Sequence, residues 1–168
     1  MSTPRAPRQF WEDFPVGDVR DFGGLPVTRE AVLEFARQFD PQPFHVDEDA
    51  ARESLFGGLC ASGWHTCALA MKLTVENFLR EAASMGSPGL ESLRWLKPVF
   101  ANDTLRLRQS VVESRALRSR PDVGLVRSRW EMFNQGGEKV MQMEGYGMFR
   151  RRHRATEQEL AQLDASKE

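Results

Sequence analysis

The stretch Thr104-Leu-Arg-Leu-Arg-Gln-Ser-Val-Val112 decides the fold, because its side chains alternate in character. Leu105, Leu107 and Val111 are apolar, and arginine or serine side chains stand between them. Successive side chains of a β-strand point to opposite faces of the sheet. The stretch therefore predicts a strand with one buried face and one exposed face.

Further strands are predicted on both sides of this one. Residues 123–133 and 138–150 are predicted as strands because Asn134-Gln-Gly-Gly137, which separates them, is a strong hairpin signal. Residues 89–99 are predicted as another strand that ends at Pro98, since proline cannot donate a ladder hydrogen bond. The second half of the chain is thus a run of neighbouring strands.

The first half of the chain has the period of helices. Thr28 is a good N-cap, and the four residues that follow it at helical spacing form one apolar face: Val32, Phe35, Ala36 and Phe39. This helix must stop at Asp40, because the residue before a proline is disfavoured in helical conformation. A long helix is predicted over residues 62–83, and its buried stripe is predicted to comprise Cys67, Met71, Val75, Phe78, Leu79 and Ala82.

Between these helices, Pro43 is expected to keep the chain extended. Residues 47–53 then predict a short helical turn with acidic residues at its start. Helices that come early and strands that come late indicate an α+β fold, with an antiparallel sheet of four or five strands against one long helix. The edges and the second face of such a sheet need cover, which predicts a homodimer or a higher homo-oligomer.

The composition limits the classes of function. A chain of 168 residues with 40% hydrophobic residues suits one globular domain, and a net charge of −1 gives no support for nucleic-acid binding. No apolar run approaches the roughly 18 residues of a membrane span, and the N-terminus has no apolar core of a signal peptide. Two cysteines without metal or redox spacing suggest free thiols and a cytoplasmic protein.

The domain is expected to span residues 10–152, with an N-terminal arm over 1–9 and a charged C-terminal tail over 153–168. The segment 115–120 holds three arginines. It is expected to be either a solvated loop or a patch for the phosphates of a carrier or cofactor.

The densest group of reactive side chains is Phe39-Asp-Pro-Gln-Pro-Phe-His-Val-Asp47. Two prolines after a helix end form a fixed turn, which can aim Asp40 and His45 into one cleft. A carboxylate and an imidazole that hold one water are a plausible acid–base pair. The alternative is that Asp40 caps local backbone and His45 is structural.

A second group, Gly57-Gly-Leu-Cys-Ala-Ser-Gly63, comes just before the long helix. Glycine lets a ligand approach the backbone, and a helix start presents free N–H groups. This combination suits an oxyanion hole. A helix-initiating turn capped by Ser62 is the other interpretation, and the two are compatible.

Together these segments resemble a known family. The string from Phe35 to Ala51, the string Gly57-Gly-Leu-Cys-Ala-Ser62-Gly63-Trp-His, and Trp95-Leu-Lys-Pro98-Val-Phe-Ala-Asn-Asp103 are similar to MaoC-like dehydratases, also called (R)-specific enoyl-CoA hydratases. The resemblance covers roughly residues 10–150. It implies a hot-dog fold, in which the sheet wraps the long helix.

The resemblance also implies roles for individual residues. Asp40 and His45 match the family's catalytic pair, and Gly63 matches the glycine whose N–H receives the thioester carbonyl. Gln42 and Ser62 stand where the family often has asparagine and histidine. The remaining residues expected at the substrate are Phe44 and Trp64.

The implied reaction is the addition or removal of water across the C2–C3 bond of an acyl thioester of coenzyme A or a carrier protein, without a metal or redox cofactor. A hot-dog thioesterase and a non-catalytic acyl-CoA-binding protein are the alternatives.

Overall fold

The computed structural model describes residues 6–159 and 161. In this part of the chain the helices are α1 (Arg29–Phe39), α2 (Pro43–Val46), α3 (Glu48–Glu53) and α4 (Gly63–Asn77). The strands are β1 (Val19–Pro26), β2 (Leu90–Trp95), β3 (Thr104–Leu117), β4 (Arg120–Phe133) and β5 (Lys139–Arg150). They form one antiparallel sheet in the order β1-β3-β4-β5-β2.

The inner face of the sheet packs on α4. Leu107, Met132 and Met141 are paired across β3, β4 and β5, so their side chains lie on the same face. They share one buried cluster with Ala70 and Leu73 of α4. The predicted α+β class and the single hot-dog domain, with its sheet around a central helix, are therefore confirmed.

The outer face of the sheet carries ion pairs between neighbouring strands. Arg127 and Arg129 both donate to Glu144, at 2.8 and 2.7 Å. Arg108 pairs with Asp21 across β3 and β1 at 3.0 Å. These ion pairs make this part of the outer face compatible with water, and cover of the sheet by a homodimer or higher homo-oligomer stays a prediction. Strand β2 forms an open edge of the sheet.

The central helix is shorter than predicted and is turned about its axis. It ends at Asn77, not at residue 83, and a 3-10 turn (Leu79–Glu81) follows. Thr74 and Asn77 donate their side chains to backbone carbonyls one turn back, at 2.8 and 2.7 Å, which competes with helix propagation. Of the predicted stripe, Phe78 is buried but Met71 is half-exposed. The buried residues of α4 are both apolar and polar: Ala70, Leu73, His65, Thr66 and Thr74.

Strand β1 was not predicted. It contains Gly23 and Gly24, and its pairing with β3 is interrupted by a bulge between Phe22 and Leu25. Glycine weakens a strand's intrinsic preference and often marks a bulge. Pairing with the long strand β3 supplies the stability that the local sequence lacks.

The arginine-rich segment 115–120 is not the predicted loop. It forms the ends of β3 and β4 and the tight turn between them, and Arg115 lies opposite Leu125 in the ladder. Arg115 pairs with Glu113 at 3.0 Å and Arg120 with Asp122 at 3.5 Å. Half of the expected charged tail, residues 160 and 162–168, lies outside the described residues. Among the described residues, no helix is both long and apolar enough to cross a membrane.

A cluster of aromatic side chains packs at the end of the sheet away from the N-terminus of α4. Phe14 stacks on Phe149 with 4.4 Å between ring centroids and contacts Phe78 at 5.7 Å. The guanidinium of Arg20 lies 4.8 Å from the Phe14 ring centroid. Phe14, which lies in the irregular segment before β1, is therefore part of the core.

We expect Phe14→Ala to lower the free energy of unfolding by roughly 3–5 kcal/mol, because Phe14 is only 1% exposed and its removal leaves a cavity. Urea denaturation followed by circular dichroism measures this loss. Val16→Ala is the matched control, since Val16 is 63% exposed and its truncation should change the free energy by less than about 0.5 kcal/mol. Equal losses for the two variants would contradict the packing described here.

Candidate active site

The segment between α1 and α3 has a different local structure from the predicted one. Asp40 caps α1 with a non-helical backbone, as expected before Pro41. Pro43, however, is not in an extended stretch but begins the short helix α2. A proline fits the first position of a helix, because its fixed φ is helical and its missing N–H would have no partner there. The helical turn brings His45 back toward Asp40.

Asp40 and His45 converge as predicted. The Nε2 atom of His45 lies 3.6 Å from Oδ2 of Asp40. Both side chains line a cavity of about 470 Å³ that also reaches Gly63, Trp64 and Trp95. This is a size typical of ligand sites. The carboxylate and the imidazole face one space that a small molecule can enter.

The backbone sets the proton position on His45. Its Nδ1 atom lies 2.8 Å from the carbonyl oxygen of Cys60. A carbonyl can only accept, so Nδ1 must carry a proton, and in the neutral ring Nε2 is then the acceptor. The thiol of Cys60 lies 3.7 Å from the same nitrogen, and burial raises the pKa of that thiol to about 11. Cys60 therefore remains uncharged beside the imidazole.

Asp40 is held by two donors. Ser62 donates its hydroxyl to Oδ2 at 2.6 Å, and Gln42 donates its amide to Oδ1 at 2.8 Å. The pKa of Asp40 is lowered, first by the hydrogen bond from Ser62, with the Gln42 bond and the nearby His45 adding to the effect and burial opposing it. Asp40 is thus an ionised carboxylate at neutral pH.

The N-terminus of α4 completes the site. Ser62 caps the helix by accepting from the N–H of Trp64 at 3.2 Å. Gly63 is the first residue of the helix, and a first-turn N–H has no partner within the helix. A Cβ at Gly63 would come within 2.5 Å of the Trp95 ring, so any other residue would displace that ring. The indole N–H of Trp95 donates to the Gly63 carbonyl at 3.0 Å, which fixes this peptide.

The other residues predicted at the substrate lie in the same cavity, but with different contacts. Phe44 packs edge-on against His45, with 4.6 Å between ring centroids. Trp64 is largely exposed and lies edge-on to Trp95. Gln42 and Ser62 both face Asp40 through hydrogen bonds. Their first role is therefore to hold the carboxylate.

Sequence reasoning missed two contributors. The Cys60 carbonyl that fixes His45 is a backbone group, and no side-chain pattern reveals it. Trp95 belongs to a segment that carries the family resemblance, but its contact with Gly63 depends on how β2 lies beside α4. His65 is separate from the cavity: it stacks on Phe35 at 4.6 Å, and burial lowers its pKa.

A hot-dog domain that places a carboxylate, an imidazole and a helix N-terminus around one cleft defines a class of protein equipped for acid–base chemistry. The chain belongs to the MaoC-like domain family, whose model matches residues 13–129.

Three relatives illustrate this membership. A solved MaoC-like dehydratase from Rhodospirillum rubrum is 42% identical, with a TM-score of 0.79 over 86% of this chain and 98% of that one. The uncharacterized protein YdeM of Bacillus subtilis is 29% identical over 79% of this chain and 93% of its own length. The β-methylmalyl-CoA dehydratase of Chloroflexus aurantiacus is 28% identical over 71% of this chain, which matches 34% of that longer protein.

We expect Ser62→Ala to raise the pKa of Asp40 toward its ordinary value, because the strongest cause of the lowered pKa is lost. Titration of the Asp40 carboxyl carbon by NMR measures the change. Gln42→Ala should raise the same pKa by less. An Asp40 titration that is unaltered in Ser62→Ala would contradict the assigned hydrogen bond.

The loss of folding stability in Ser62→Ala should depend on pH, because the pKa of Asp40 changes. A carboxyl whose folded pKa is depressed adds stability above its unfolded pKa, about 3.9, and this is lost as the pH falls through the folded pKa. The penalty of Ser62→Ala should therefore be larger at neutral pH than in acid. The loss of the helix cap, about 1 kcal/mol, remains at both pH values.

Proposed function

We propose that the protein is a hydratase or dehydratase that acts on the C2–C3 bond of an acyl thioester of coenzyme A or a carrier protein. The observation that carries the proposal is the pair of acceptors formed by His45 Nε2 and Asp40 Oδ2, 3.6 Å apart at the entrance to α4. Two acceptors at this spacing can each take a hydrogen bond from one water. The dehydratases among the relatives support the same reaction class.

Asp40 and His45 have different roles in the proposed reaction. Asp40 already accepts from Ser62 and Gln42, which stabilises its charged form and makes it a weak base. His45 Nε2 has a free lone pair, because the proton of the ring is on Nδ1. His45 therefore takes a proton from the water as the water oxygen attacks C3, and the imidazolium returns that proton to C2. Asp40 orients the water and balances the charge of the imidazolium.

Gly63 stabilises the negative charge that develops on the thioester oxygen. Electron density moves to the thioester oxygen as C3 is attacked, and the free N–H of Gly63 at the start of α4 stabilises this charge. One such donor contributes about 3–4 kcal/mol to transition-state stabilisation. Dehydration is the same path in reverse. Both directions use only proton transfer and charge stabilisation by Asp40, His45 and Gly63, so the proposed reaction needs no metal or redox cofactor.

We further propose that the protein is a homodimer that pairs through β2. This strand lies at the edge of the sheet, where unpaired backbone groups favour the addition of another strand. Large apolar side chains are exposed on and beside it: Trp64, Met71, Leu90, Trp95 and Leu96. An antiparallel pairing of β2 with its copy would bury them by two-fold symmetry.

The free thiols of Cys60 and Cys67 fit a reducing compartment, and we propose a cytoplasmic location.

The activity is tested with crotonyl-CoA and longer enoyl-CoAs, by loss of the absorbance of the conjugated double bond. We expect hydration by the wild-type protein, and a fall in kcat of at least about 100-fold for Asp40→Asn and for His45→Ala, because general acid–base catalysis contributes that much. His153→Ala is the control, since His153 is exposed and far along the chain from the cleft.

The same assay separates the alternatives. Release of free coenzyme A without loss of the double bond would identify a thioesterase. Saturable binding of every thioester without turnover would identify a binding protein. Full activity of both Asp40→Asn and His45→Ala, with normal folding by circular dichroism, would remove the assignment of the acid–base pair.

The assembly is tested by sedimentation velocity. We expect a dimer for the wild-type protein and a shift to monomer for Leu90→Lys, which places a charge in the buried seam. Leu55→Lys is the matched control, because Leu55 is 90% exposed and belongs to the loop between α3 and α4, outside β2. A wild-type protein that sediments as a monomer at micromolar concentration would contradict the proposal.

A further inference from the structure

A second cavity lies deeper in the domain, between α4 and the inner face of the sheet. We name it the distal cavity; its volume is about 440 Å³. Its helical wall consists of Cys67, Met71, Thr74 and Phe78, which lie one above the other on one face of α4. Gly63 lies one turn before Cys67 on this face, about 6 Å along the axis. The helix face that begins at the candidate active site therefore continues into the distal cavity.

The opposite wall has an unexpected polar group. Gln109 and Trp130 are paired across β3 and β4, and Ser128 lies two residues along the same face. Gln109 and Ser128 are only 4% and 2% exposed. The rest of the inner face around them is apolar, for example Met143 of β5 and Phe149. Three polar side chains thus stand together on the floor of a cavity that is lined mainly by apolar groups.

This polar group is incompletely bonded. Gln109 donates its amide nitrogen to the Ser128 hydroxyl at 3.1 Å. Its Oε1 atom and the indole Nε1 of Trp130 are buried, and no partner for either is found among the described residues. A buried polar atom without a partner loses its hydrogen bonds to water and gains none in return, which destabilises the fold. If the amide is turned end for end, Ser128 donates to the oxygen, and one end of the amide still lacks a partner.

The charge of the cavity restricts what can satisfy these atoms. None of the described residues that line it is charged at neutral pH. A carboxylate or an ammonium group would lose its hydration there without a counter-ion, at high cost. A hydroxyl group both donates and accepts, so it can bond to the Trp130 indole and to the Gln109 amide in either orientation. The terminal amide torsion of glutamine is soft, which lets it turn toward a ligand.

We propose that the distal cavity receives the far end of the acyl chain and selects chains that carry an uncharged polar group there, a hydroxyl above all. The inference rests on the proposed function, because an acyl thioester held at Gly63 extends along the face of α4. It adds a substrate class: hydroxylated acyl thioesters, with Gln109 and Trp130 as the residues that determine specificity.

The test is calorimetric binding of saturated thioesters, which needs no turnover. Hexanoyl-, octanoyl- and decanoyl-CoA are each compared with the form hydroxylated at the terminal carbon. We expect the wild-type protein to bind the hydroxylated form about tenfold more tightly at the length that reaches the polar group, the effect of about one hydrogen bond. Equal or weaker binding at every length overturns the proposal, and a permanently bound water between the two atoms would give that result.

Variants assign the preference to the residues. Gln109→Leu and Trp130→Phe should each reduce the preference while binding of the plain chains is kept, and two variants protect the test if one fails to fold. Ser110→Ala is the control, since Ser110 adjoins Gln109 but points to the outer face. A preference that survives in both variants overturns the proposal. A preference in a protein without hydratase activity would contradict only the proposed reaction, and activity without a preference only this inference.

Discussion

One hydroxyl group joins the two halves of the candidate active site. Ser62 accepts from the first turn of α4 and donates to Asp40 at the end of α1. A single side chain therefore sets the start of the central helix and the position of the carboxylate. The carboxylate in turn lies beside His45, whose other nitrogen is tied to the chain just before Ser62. The site is a closed ring of contacts between α1, α2 and the entry to α4.

The sheet gives this ring a rigid support. Its inner face packs on α4, and its outer face satisfies its charges with ion pairs between strands. Such exposed pairs contribute little to stability, typically below about 1 kcal/mol each. Their value lies in keeping the outer surface polar while the inner one is apolar. The central helix is therefore held from one side, and its N-terminus remains open to the cleft.

Much of this could be predicted from the sequence, because the relevant signals are local. The alternation in residues 104–112 predicts β3, and the glycines after Asn134 predict the turn to β5. Asp40 and His45 could be paired because prolines limit the path between them. The signals failed where tertiary contacts decide: β1 is stabilised by β3 in spite of its glycines, and α4 ends early at side chains that bond to its own carbonyls.

In the candidate site, too, some features have a local sequence signal and others depend on tertiary contacts. Ser62 could be recognised as a helix cap, but its bond to Asp40 depends on where α1 ends in space. The carbonyl of Cys60 carries no side-chain signal at all. Pro43 has two permitted uses, in an extended chain or at the start of a helix, and only the surrounding packing chooses the second. The candidate residues could therefore be recognised from the sequence, whereas the position of the proton on His45 follows only from the geometry.

Trp95 connects the chemistry to the assembly. Its indole covers Gly63 and donates to the carbonyl of that residue, so it fixes the peptide next to the N–H that is proposed to bind the thioester oxygen. Trp95 also belongs to β2, the edge strand, and its ring is partly exposed among other apolar side chains. A second copy that pairs with β2 would immobilise this strand and, through Trp95, the first peptide of α4. Preorganised donors stabilise charge better than mobile ones. A dimer would consequently be a condition for an efficient site as well as a cover for apolar surface.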